Sequence, residues 1–185
     1  MKAKKTAAVI FIFFLLLFIA YKPYEQSLYA DTLLKQIFML YGFFINNTLL
    51  MIHEGGHGVC YILSCPQFLT AANGTIFQLL FPYLLGFISK KQGNIFGYYI
   101  GLFFLGFSMQ YTSWYISTAH EGLYLDASKS FLGIDGYHDF NYILSALGLI
   151  NLDWLISGIV KAVGYIIMFY SCFKMVIMGW VEGGK

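Results

Sequence analysis

Two histidines four residues apart, the first followed by a glutamate, stand inside a long, otherwise uncharged stretch: His53-Glu54-Gly55-Gly56-His57. On a helix, positions i and i+4 project from one face, so both imidazoles can reach a single metal ion. Zinc takes His nitrogens at about 2.0–2.1 Å, and a site with three protein ligands keeps a fourth position open for chemistry. Glu54 would stand beside that position, where a carboxylate can take a proton from a metal-activated water and later deliver it to a leaving amine. The motif fixes three positions in five and would mean little in a soluble chain. Inside a membrane, His and Glu are expensive and mark function. The chain places two of its four histidines at this one spot.

A third ligand has to come from elsewhere, and the segment 120–139, the most polar of the chain, offers His120, Glu121, Asp126, Asp135, His138 and Asp139. Asp135-Gly136 reads as a turn. Asp139 is placed to cap a short helix over 140–150, or to orient His138 as a carboxylate behind the metal ligand. His120 and Glu121 directly follow an apolar segment and read as interfacial. His138 is then the first choice of third ligand and Asp126 the second. Asn46 and Asn47 precede His53 and Glu54 by seven residues each, which puts both amides on the site's face, two turns away and within reach of ligands or substrate. Cys60, seven residues after His53, falls on the same stripe and reads as a buried inert thiol. Gly55 and Gly56 each weaken a helix interior by about 1 kcal/mol relative to Ala, which fits a face kept bare for close packing.

Composition says what kind of molecule must position these groups. Of 185 residues, 59% are apolar, 20% aromatic and only 11% charged, against about a quarter charged in an ordinary globular protein. Such a chain lacks the polar surface to cover a water-facing fold and belongs in a lipid bilayer. At about 20 residues per crossing, its length suits roughly four to six apolar segments in one domain over 1–185. Eleven lysines, no arginine and nine acids leave a net charge of +2, so no basic surface for nucleic acid is present. Cys60, Cys65 and Cys172 are odd in number and lie in apolar stretches, which implies no disulfide framework.

Residues 6–21 are free of charge, follow Lys2, Lys4 and Lys5, and end at Lys22-Pro23. This layout predicts a signal anchor with a cytoplasmic N-terminus. Asp31-Thr32 can cap a long helical element that runs through the histidine motif to Cys65, where Pro66 ends it. Residues 58–89 hold no charge but are punctuated by Cys65-Pro66, Asn73-Gly74 and Pro82. These break signals predict a re-entrant segment, which at membrane depth has to line a wet cavity or lie buried in protein. Lys90-Lys91-Gln92-Gly93-Asn94 is a polar loop, 95–119 a spanning helix and 154–179 the last transmembrane helix, with Lys161 and Lys174 able to snorkel. The expected architecture is all-α: a polytopic transmembrane helical bundle with one re-entrant segment.

HEGGH on a membrane helix resembles the site-2-protease class of intramembrane zinc metalloproteases. More closely, the chain is similar to a group of small bacterial membrane proteins. They share HE-x-GH, then G-T-x-x-Q-L-x-x-P, then Asp-Ala, then His-Asp and an aromatic. Here these elements read His53 to His57, Gly74-Thr75-Ile76-Phe77-Gln78-Leu79-Leu80-Phe81-Pro82, Asp126-Ala127 and His138-Asp139-Phe140, within a metallopeptidase-like core over 45–150. The resemblance implies that His53 and His57 bind one zinc ion, that Glu54 is the catalytic base and that Gln78 helps to hold an extended peptide. It also implies a protein of the bacterial inner membrane acting on membrane-protein or peptide substrates. The site-2 class normally draws an Asp from an Asn-x-x-Pro…Leu-Asp-Gly segment as third ligand, and only Ile134-Asp135-Gly136 echoes that here. His138, Asp126 and Asp135 therefore compete for the role. Two other functions fit the same residues. One is a non-catalytic protein whose zinc ties the helix at 53–57 to the loop at 120–139. The other is a metal-free subunit of a membrane complex whose buried polar groups line a pathway.

Overall fold

A computed structural model describes Ile12, residues 33–120 and residues 138–184. The described residues are helical, with no strand among them. Four long helices run up and down: α1 (Leu33–Ile62), α2 (Gln67–Lys91), α3 (Ile95–Ser117) and α5 (Asp153–Gly184), with the short α4 (Asp139–Ala146) between the last two. α1 packs on α2, α2 on α3 and α3 on α5, while α4 lies across one end against α2 and α3. Two stretches, Gln67–Lys91 and Ile150–Gly179, are long and apolar enough to cross a membrane. Their outward faces carry Leu80, Leu84 and Ile88 on one and Ile159, Ile166 and Phe173 on the other, all exposed. The predicted anchor at 6–21 lies outside the described residues except for Ile12, which packs against the central apolar cluster of Leu49, Phe103, Phe107, Met168, Cys172 and Met175.

The segment expected to turn back at Asn73-Gly74 and Pro82 is one uninterrupted helix. Each break signal is used in packing instead. The Asn73 amide donates to the Gly56 carbonyl at 2.6 Å, and a Cβ on Gly56 would run into the Asn73 carbonyl. α1 and α2 therefore touch backbone to backbone. Pro82 is buried where α3 crosses, and a Cβ on Gly101 would meet Gly86 and the Pro82 carbonyl. Small residues that let backbones approach are how helices associate without a hydrophobic drive between them. A second departure lies at the α1–α2 turn, where Cys60 and Cys65 are joined in a disulfide; the sequence reading took both as unpaired. Cys172 is a free, buried thiol.

Candidate metal centre

α1 brings His53 and His57 to one face, as their spacing requires, and that face is turned toward α2 and α4. The Nε2 atoms of the two rings lie 3.1 Å apart. Asp139 Oδ2 stands 2.9 Å from His53 Nε2 and 3.1 Å from His57 Nε2. All three residues are 3% exposed or less. These groups could together hold a metal ion.

The hydrogen bonds behind the rings decide what the three atoms offer one another. Gln78 Nε2 donates to the Ser108 carbonyl at 3.5 Å, so its Oε1 is left to accept from His53 Nδ1 at 3.2 Å. His57 Nδ1 donates to the Thr70 carbonyl at 2.8 Å. Both imidazoles thus carry their proton on Nδ1 and turn a lone pair on Nε2 toward the other and toward a carboxylate oxygen. Three lone pairs converging without a proton between them repel, and a cation relieves that. A tetrahedral zinc with bonds of about 2.0–2.1 Å has ligand edges of about 3.3–3.4 Å, so the trio needs to part by only about 0.3 Å.

Two further observations fit a metal at this place. An added Cβ at Gly74 would sit 2.6 Å from each Nε2, so α2 leaves the space beside the imidazoles open only because glycine occupies that position. Asp139 Oδ1 is buried and has no hydrogen-bond partner among the described residues, which is costly unless a ligand engages it.

Asp139 owes its place to its neighbours. His138 caps α4, its Nδ1 accepting from the Asn141 amide at 3.3 Å. Its Nε2 then carries the proton and donates to Thr118 Oγ1 at 2.9 Å. Burial pushes the His138 imidazole down to about 4, so it stays neutral and can accept at one nitrogen while donating at the other. Its ring stacks on Tyr115, with centroids 4.0 Å apart. The Tyr115 hydroxyl accepts from the Asp139 backbone N–H at 3.3 Å and lies 3.5 Å from Oδ2. Asn141 ties α4 to the end of α3 by donating to the Ala119 carbonyl at 2.8 Å.

The order expected at 138–139 is thus reversed: Asp139 joins the two histidines, and His138, both nitrogens occupied, positions it. Asp126 and Asp135 lie outside the described residues. Glu54 is buried on the same turn of α1, close enough for its charge to act on His57, Tyr111 and Tyr115. Gln78, expected to hold peptide, holds His53. Asn47 is exposed on α1; the Asn46 side chain is outside what is described. Sequence reading missed Thr70, which acts through a backbone carbonyl that no side-chain pattern reveals. It also missed Tyr115, one aromatic among many on α3.

No family model, no curated protein and no solved structure matches the chain.

Proposed function

We propose that the chain is a membrane-embedded zinc metallopeptidase that hydrolyses peptide bonds in or beside the bilayer. The observation that carries this reading is the convergence of His53 Nε2, His57 Nε2 and Asp139 Oδ2, with Glu54 on the same turn of α1. Two histidines, one carboxylate and an adjacent Glu are the donor set of a hydrolytic zinc site. A zinc ion there would supply Lewis acidity to the scissile carbonyl and to the attacking water. Glu54 takes the proton that the water loses and passes it to the departing amine. Gln78 and Thr70 keep both imidazoles in the tautomer that binds metal, and Tyr115 with His138 holds Asp139 in register. The apolar faces of α2 and α5 contact lipid, and the N-terminal segment 6–21 anchors the chain in the inner membrane of a bacterium with its N-terminus in the cytoplasm.

The test is metal content per chain after detergent purification without chelator, together with hydrolysis of apolar peptides. Wild type should hold about one zinc, and His57→Ala and Asp139→Asn should lose it. Glu54→Gln should keep the metal and lose hydrolysis. Wild-type protein without zinc would sink the reading. The depth of the trio favours one competitor, a zinc that only staples α1 to α4, since closed structural sites are buried in this way. In that case no hydrolysis is seen in wild type, and Glu54→Gln changes nothing.

A further inference from the structure

α3 presents polar groups on two opposite faces, and on one of them two buried hydroxyls lack a partner among the described residues. Toward α5, Gln110 donates to the Lys161 carbonyl at 3.0 Å, and Ser113 and Ser157 share their hydroxyls at 3.0 Å. The other face carries Ser108, Thr112 and Tyr115, spaced i, i+4 and i+7, which share one side of a helix. Among the described residues three buried side-chain atoms lack a partner: Asp139 Oδ1, Ser108 Oγ and Thr112 Oγ1. The first belongs to the metal centre. The other two stand on the face of α3 whose Tyr115 hydroxyl reaches Asp139 and whose Ser108 carbonyl holds Gln78, the partner of His53. Ser108 is 1% exposed and Thr112 4%. Membrane-helix hydroxyls usually return to the carbonyl four residues back, and these two do not.

We propose that Ser108 and Thr112 form a rail that hydrogen-bonds the backbone of an extended peptide and leads it to the His53–His57–Asp139 centre. This rests on the metallopeptidase reading and adds the conformation in which substrate is taken. The spacing identifies the ligand. Four residues of helix rise about 6 Å, and in a strand the backbone groups that face one side recur every two residues, about 6.6–6.8 Å. Two hydroxyls one turn apart therefore meet successive same-side peptide groups of an extended segment. A helical substrate has its own backbone groups paired internally and offers them nothing. α1 and α3 both pack on α2, and the His53 and Tyr115 rings face each other at 5.8 Å.

The experiment compares two probes on the zinc-loaded full chain in detergent: acetohydroxamate, which engages the metal alone, and an acetylated tri-leucine hydroxamate, which adds three backbone units. Wild type should bind the peptide probe more tightly than the small one. Ser108→Ala and Thr112→Val should each cut that advantage about five- to tenfold, with zinc content and acetohydroxamate affinity unchanged, while Thr112→Ser keeps it. A peptide advantage that survives both hydroxyl deletions overturns the rail and leaves the metal site standing; the hydroxyls then hold only water. Failure of wild type to bind zinc and acetohydroxamate overturns the metallopeptidase reading itself, and the rail with it. Should one variant lose zinc, the other single variant carries the test.

Discussion

Gly74 shows how one absent methyl group can decide a site. Its position on α2 faces both Nε2 atoms so closely that Ala would have to push the imidazoles aside. These are the free ends of side chains, so the helix should tolerate the change while the ligands do not. Gly74→Ala is expected to keep its helical circular dichroism and weaken zinc by at least about tenfold in chelator competition. His138 offers a test through pH. Its pKa is about 4 in the fold against an ordinary 6.5, so between those values the unfolded chain takes up a proton that the native chain refuses. Stability then falls as pH drops through that window and levels off below it. Asn also caps helices well and does not titrate. Metal-free His138→Asn should therefore show a shallower acid loss than wild type in parallel thermal melts from pH 7 to 4.

α2 is the element on which sequence and structure part most clearly. The helical spacing of His53 and His57, the Lys90–Asn94 turn and the last long helix were all legible, because each is a local pattern. The state of 67–91 was not. Asn73-Gly74 and Pro82 are turn residues by propensity, but Asn73 spends its amide on Gly56 and Gly74 yields space to the histidines. Both needs arise only once α1 lies alongside. The places of His138 and Asp139 were not legible for the same reason, since the two are neighbours and only packing against Tyr115 decides which of them turns toward the two histidines. The Cys60–Cys65 bridge closes the turn between α1 and α2, next to the strand of chain that carries the Thr70 carbonyl. A loop this short gains about 2 kcal/mol from cross-linking. Reduction should lower stability by roughly that amount, read as a shift in denaturant midpoint against a Cys60→Ser/Cys65→Ser control that no longer responds to reductant.

At the scale of the molecule, the candidate metal centre joins distant parts of the chain, α1 and α4, which both pack on α2. A ligand that binds only the folded chain stabilises it by mass action. At free zinc a thousandfold above its Kd this is about 4 kcal/mol, so chelation should lower the Tm on the order of 10 °C for a chain of this size. His57 is fully buried, and the α2 backbone lies directly against both imidazoles. That enclosure bears on biogenesis as well as on affinity. The two histidines leave the ribosome 82 or more residues ahead of Asp139, an interval of about 4–16 s at ordinary rates of synthesis. For that time the two histidines are in the nascent chain without the carboxylate, and a metal ion held by the trio would be sealed in only once Asp139 arrives.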